Sequence, residues 1–306
     1  MKKTEHQPTA DFIGFAIALA GALLFSTKAI IVKTAFANTP IDALTLLTLR
    51  MVFSLPFYVV AAYVVSSKST NTPMTRRQWI ITIVLGLFGY YLSSLFDFLG
   101  LQYISAGLER LILFLYPTFS VLINAYVFKQ KLYRNQQVAL LLTYAGILLA
   151  YFGELQLQEA NAQFLWGSFL VFLCAVTYSI YISGSGQIIP KVGATKFTAY
   201  AMLSATAGIF LHFLVNGSFA ALQQGFSLWG YGVALAVMAT VVPSFLLSYA
   251  LRRIGTNNVA IISSLGPVST ILQAHYVLGE PIFAAQLMGT GLVLAGILLL
   301  SWKTKK

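Results

Sequence analysis

From its N-terminal end the chain alternates between long apolar runs and short polar stretches. A hydrocarbon core about 30 Å thick is crossed by about 20 residues of helix. On that measure the pattern predicts ten spans, at 12–33, 42–66, 79–101, 107–128, 136–153, 164–187, 197–215, 228–250, 257–278 and 284–302. The connections carry turn signals, such as Asn38-Thr39-Pro40, Asn71-Thr72-Pro73 and Asn216-Gly217. None is long or polar enough for a soluble domain. Lys2 and Lys3 before the first run resemble the basic start of a signal peptide. Nine further runs follow, so a retained first helix is the expectation.

The pattern also repeats. Residues 101–152 run beside residues 251–302 without a gap, at an offset of 150. Leu101, Ile112, Leu115, Pro117, Tyr126 and Gln136 recur as Leu251, Ile262, Leu265, Pro267, Tyr276 and Gln286. The first and sixth spans match more weakly, through Gly14 and Gly167, Ala22 and Ala175, Phe25 and Tyr178, and Ser26 and Ser179. The expected units are therefore 1–155 and 156–306, with five spans each. An odd number of spans makes the second unit enter the membrane from the opposite side. Such inverted repeats are the architecture of many secondary transporters. Pro117 and Pro267 fall midway through the fourth span of each unit, where a proline frees a backbone carbonyl. Lipid cannot satisfy that carbonyl, so the two breaks are expected to face protein or a cavity.

Composition agrees with a membrane protein. Apolar residues make up 58% of the chain and charged residues 9%, against roughly 25% charged in soluble domains; mean hydropathy is +0.80. The net charge of +11 could suggest nucleic acid, but the basic residues lie in short clusters between spans, not on one solvated face. Fifteen Lys and Arg fall on the side of the termini; the other side offers Lys33 with Asp42, Glu154, Glu159 and Glu280. Under the positive-inside rule both termini are expected in the cytoplasm, which an even span count allows.

Charge within the spans is scarce and therefore informative. A charged side chain at mid-bilayer costs about 2.5–3.5 kcal/mol or more, and Lys28, Arg50, Asp97, Glu109 and Arg110 meet or approach that condition. Asp97 and Arg110 lie equally far from the turn joining the third and fourth spans, which predicts an ion pair, either a hairpin lock or a gating or proton-linked element. Glu109 would then satisfy Lys28 or Arg50, leaving one surplus cation near the centre. A surplus cation suits the carboxylate or phosphate of a solute. Asp97 and Glu109 are the membrane-embedded carboxylates, hence the candidate proton carriers. Tyr116 beside Pro117, and Tyr178 and Tyr181 on the sixth span, are the candidate cavity aromatics. With Lys28, Arg50 and Arg110 they form the expected solute-binding set. His275 is expected as a packed neutral imidazole. Cys174 has no partner for a disulfide or zinc. No catalytic or metal motif, P-loop or nucleophile elbow occurs, and no cofactor is expected.

These features resemble the drug/metabolite transporter superfamily, specifically its EamA-type members. The likeness rests on Gly21-Ala22-Leu23-Leu24-Phe25-Ser26-Thr27-Lys28 through Lys33, on Leu49-Arg50, and on Ala106-Gly107-Leu108-Glu109-Arg110 through Tyr116-Pro117. Leu278-Gly279-Glu280-Pro281 is similar to the family's turn after the ninth helix. Two departures stand out: Lys28 replaces a commonly small or polar residue, and Phe128-Lys129-Gln130-Lys131 lacks the family's acidic residue. The resemblance implies a bacterial inner-membrane exporter of small metabolites such as amino acids. It also implies a cavity lined by the first, third, fourth, sixth, eighth and ninth helices, with the fifth and tenth peripheral.

The sequence thus favours an all-helical secondary transporter whose partners are a small-molecule solute and membrane lipid. Efflux of cationic drugs is a second reading and would need an unpaired carboxylate among aromatics. A scaffold or sensor without transport is a third, and predicts a fold lacking a central cavity. Gly291 and Ala295 on the tenth span have the small-residue spacing of associating helices, a spacing common to membrane helices; nothing else in the sequence supports an oligomer.

Overall fold

The computed structural model describes residues 12–68, 73–129, 134–157, 161–223, 225–263 and 265–301, and the regular structure within them is helical. Eight helices are long and apolar enough to cross a membrane, and Ala284–Leu299 is a shorter apolar helix. The chain is therefore a multi-pass membrane protein.

Helix α1 (Phe12–Asn38) turns into α2 (Ala43–Ser66) at Asp42, whose carboxylate accepts the Thr45 N–H at 2.9 Å. The next span is a single rod: α3 (Arg76–Gly86), a π turn over Leu87–Leu92, and α4 (Ser93–Gly100). A reciprocal cap between Thr75 and Gln78 starts it. Helices α5 (Ala106–Leu113) and α6 (Tyr116–Tyr126) share the fourth span and part at Phe114 and Leu115. Pro117 occupies the first turn of α6, where no N–H is needed. Helix α7 (Arg134–Leu157) closes the first half.

The second half opens with α8 (Ala162–Val192) and α9 (Ala194–Asn216). A 3-10 turn at Phe219–Gln223 leads to α10 (Phe226–Ala236), a π turn over Val237–Val241 and α11 (Val242–Ser263). Then come α12 (Gly266–Gln273), with Pro267 in its first turn, a π turn over Ala274–Leu278 and α13 (Ala284–Ser301). Several hydroxyls inside the helices bond to their own helix, where hydrocarbon offers no other partner. Ser26, Thr48, Ser54 and Thr143 each donate to the carbonyl four residues back.

Two connections differ from the sequence reading. Lys191 and Lys196 were expected on a loop, but only Gly193 separates α8 from α9, with φ +87°, a conformation glycine adopts without strain. Lys196 is buried in the first turn of α9. The segment 251–256, also expected as a loop, keeps helical hydrogen bonding within α11. No proline interrupts it, and the Arg253 guanidinium donates to the Tyr249 hydroxyl one turn back. Even so the path from Leu247 to Gly266 is not one straight helix. Gly21 of α1 lies against Leu247, while Ser26 donates to the Gly266 carbonyl at 3.2 Å. Those α1 positions are about 7.5 Å apart along the axis, whereas a straight helix would separate Leu247 from Gly266 by about 28 Å.

Helices α7 and α13 pack on each other through small residues and contribute nothing to the cavity described below. A methyl group on Gly146 would sit 2.5 Å from the Gly289 carbonyl oxygen, and Gly296 faces Ala139 and Thr143 as closely. Close backbone approach of this kind is how membrane helices gain packing energy without a hydrophobic drive. Gly291, the residue the sequence singled out, faces open space: a methyl group there would meet nothing within 4 Å. Gly289→Val is expected to lower the melting temperature in detergent by several degrees, reflecting an overpacking cost of about 1–3 kcal/mol. Gly291→Val is expected to leave it unchanged; thermal unfolding followed by circular dichroism checks both.

Candidate functional site

Within the bundle lies a cavity of about 280 Å³. Its wall draws on both halves of the chain at matching positions. Gly89, Tyr90, Ser94 and Leu113 line it, and so do Ala239, Thr240, Ser244 and Ser263, each 150 residues further on. Phe25 and Tyr178, matched between the first and sixth spans, face it as well. The second span also contributes, through Arg50 and Tyr58, which the family likeness had not implied.

The charges come from the first half. Lys28 reaches Asp97 at 2.7 Å and Glu109 at 3.5 Å, tying α1, α4 and α5 together. Both carboxylates are buried, and Glu109 sits behind the lysine rather than on the cavity wall. This corrects the expected pairing of Asp97 with Arg110. Equal depth on a hairpin does not make two side chains face each other, and Lys28 supplies the nearer cation from a third helix. The expected link between Glu109 and Lys28 is present.

Arg110 is left facing the cavity. Its guanidinium lies 5.7 Å from the Phe114 ring and against the backbone of Gly266, and its buried Nε has no hydrogen-bond partner among the described residues. Arg50 is buried, and its Nε donates to the Thr240 hydroxyl at 2.9 Å. Its Nη1 donates to Ser94 at 3.3 Å, and the guanidinium stands 5.7 Å from the Phe98 ring. Neither arginine is in an ion pair among the described residues. Three cations and two carboxylates thus gather here, one positive charge in surplus.

Tyr116 and Tyr178 line the cavity edge-to-face, with ring centroids 5.0 Å apart. Tyr181 is one layer behind, its hydroxyl bonded to that of Tyr90 at 2.9 Å. Pro117 and Pro267 start α6 and α12 without touching the cavity. Cys174 is free and lies on the wall. His275 is exposed, not packed; its ring nitrogen meets the Glu280 carbonyl at 2.9 Å, held by the tight turn at Gly279.

Beyond the cavity a second polar group gathers near the N-terminus of α5. Ser105 caps α5 and donates its hydroxyl to Glu154 at 2.8 Å. Glu280 accepts the N–H of Ala106 at 2.9 Å, and Lys33 reaches Glu280 at 3.4 Å and the Ile104 carbonyl at 2.7 Å. Carboxylates at a helix N-terminus meet both free N–H groups and the positive end of the dipole. The sequence placed Lys33, Glu154 and Glu280 on one side but did not bring them together. It also missed Tyr58, Ser94 and Thr240. The offset of 150, applied to Tyr90, points to Thr240.

Known proteins are similar to this chain. The chain is 28% identical over 286 residues to "Uncharacterized transporter YcbK" of Bacillus subtilis, covering 91% of this chain and 89% of that protein. It is 27% identical over 240 residues to "Probable amino-acid metabolite efflux pump" of Salmonella typhimurium, covering 73% and 78%. A solved crystal structure shares the fold with a TM-score of 0.65 at 19% identity, covering 94% of this chain and 95% of its own. The pattern of the EamA-like transporter family matches residues 12–152 and again 165–302. The chain belongs to the EamA-like transporter family.

Proposed function

We propose that this transporter exports small metabolites, amino acids first among them and small organic anions next, by alternating access. In this reading ten spans form two inverted units of five, with both termini on the cytoplasmic face of a bacterial inner membrane. The observation that carries it is the pair of arginines, Arg50 and Arg110, on one cavity wall without a carboxylate partner among the described residues. A guanidinium without an acidic partner suits a carboxylate, which it can grip with two parallel hydrogen bonds. The rings of Phe25, Tyr116 and Tyr178 offer a surface for the rest of such a solute. The name of the Salmonella relative supports the same class of cargo.

The other readings fit less well. Cationic-drug efflux needs a free carboxylate, and Asp97, the carboxylate on the wall, is held by Lys28. A scaffold needs no cavity, and a cavity lined by charge is present.

Counterflow in proteoliposomes tests the proposal. The protein is expected to exchange amino acids with apolar side chains, L-phenylalanine among them. Exchange of cationic dyes with no exchange of any amino acid would overturn it. Arg50→Gln is expected to raise the half-saturating concentration about tenfold or more, since a hydrogen bond to a charged group contributes about 1.5–3 kcal/mol; unchanged affinity removes Arg50 from the site. Asp97→Asn alone is expected to cost about 1.5–3 kcal/mol of stability, the scale of a hydrogen bond to a charged group, because Lys28 keeps only the longer contact with Glu109. Replacing all three charges, Lys28→Met with Asp97→Leu and Glu109→Gln, is expected to restore the folded protein, since no buried charge is then left unpaired. Thermal unfolding compares them, and a triple variant as unstable as the single one would show that the charge group is not the cause.

A further inference from the structure

Two π turns interrupt the helices along the cavity wall, at Leu87–Leu92 and Val237–Val241. Their first residues are 150 apart, the register in which the two halves match. A π turn holds one residue more than an α turn, which loosens the ladder locally, and such turns concentrate at functional sites. Each turn shows two residues to the cavity: Gly89 and Tyr90 in the first, Ala239 and Thr240 in the second.

The two are fastened differently. The first is held by an aromatic contact: the Tyr90 ring lies 4.9 Å from that of Tyr181, and their hydroxyls are hydrogen-bonded. Any side chain on Gly89 would strike the Tyr181 ring. The second is fastened through one oxygen. The Thr240 hydroxyl donates to the Leu235 carbonyl, five residues back across the turn, at 2.8 Å. The same oxygen accepts the Nε–H of Arg50 at 2.9 Å. A hydroxyl has one proton to give and lone pairs to receive, so the two bonds fit together in this direction. A cation on the cavity wall and the loosened backbone therefore share a single atom.

We propose that Thr240 is a positioning residue that couples occupation of the cavity at Arg50 to the shape of the second π turn. This rests on the reading that a solute carboxylate binds Arg50. A carboxylate that grips the guanidinium along its Nε edge takes the N–H that Thr240 now receives. The Thr240 oxygen then loses its cross-helix tie, and the bridge to Leu235 alone holds the turn. The helix is free to change register there, carrying Ser244 and Leu247 on the same wall. The first turn, held by tyrosines rather than by a cation, stays fixed while this happens.

Thr240→Val keeps the shape of the side chain and removes the hydroxyl, and Thr240→Ser keeps the hydroxyl. Counterflow of L-phenylalanine is expected to fall about tenfold in maximal rate for Thr240→Val, the scale of one hydrogen bond to a charged group, with half-saturation changed less than about twofold. Thr240→Ser is expected to restore the rate. Amide hydrogen exchange across residues 235–244 is expected to change on adding L-phenylalanine to the wild-type protein and to Thr240→Ser, but not to Thr240→Val. Wild-type rate and exchange response in Thr240→Val would overturn the proposal, as would a serine variant as slow as the valine one. The wild-type response stands as a test even where the valine variant does not fold. A wild type that exchanges L-phenylalanine with no response in the turn sinks the coupling role alone. A wild type that exchanges no amino acid sinks the transport reading beneath it.

Discussion

A lysine ammonium placed within a bilayer needs an anion, and Lys28 has two. Its contacts with Asp97 at 2.7 Å and Glu109 at 3.5 Å join three helices at one point, α1 with α4 and α5. The rest of the site follows from that junction. With both carboxylates turned toward Lys28, Arg50 and Arg110 are left without an acidic partner among the described residues, so the cavity wall is cationic. Arg50 is kept in place by neutral oxygens, Thr240 and Ser94, and by the Phe98 ring. Those contacts are easier to exchange for a solute than an ion pair would be, because no opposite charge has to be left behind.

The frame around this chemistry is nearly two-fold, and the chemistry is not. Positions 89, 90, 94, 97 and 113 line the cavity, and so do 239, 240, 244, 247 and 263. Asp97 corresponds to Leu247, Glu109 to Val259 and Arg110 to Ala260. In the polar group near the N-terminus of α5, Ser105 and Glu280 correspond to Gly255 and Gln130. The π turns at Leu87–Leu92 and Val237–Val241 and the prolines at the starts of α6 and α12 are kept in both halves. The ionic groups at the cavity sit in one. A repeat can diverge in this way because packing needs both copies of a bend, whereas a solute needs one set of charges.

The hydropathy pattern made the membrane class and the two-part chain legible, since about 20 apolar residues can hardly do anything but span. The list of embedded charges was legible for the same reason: each is too costly to be incidental. Partner choice was not. Depth along a hairpin can be counted from the turn, but which face Asp97 presents depends on how α1 packs against α4, a tertiary fact. The π turns were equally hidden, because Leu87–Leu92 and Val237–Val241 contain no proline and differ in sequence. The helical hydrogen bonding through 251–256 escaped a hydropathy reading that took this polar stretch as the connection between two apolar runs.

Access to water separates the two ionic groups in what they can do. Lys33 and Glu280 keep 25% and 16% of their side-chain surface exposed, near helix ends where water can take over each bond as it breaks. Asp97 keeps 2% and Glu109 none, so separating them from Lys28 would strand charge in a low dielectric. Breaking the Lys33–Glu280 contact therefore costs less in electrostatics than splitting the Lys28 group, which would call for a replacement ion. Paths that carry α1, α4 and α5 together at that point are therefore the electrostatically cheaper ones, because they keep both carboxylates beside Lys28.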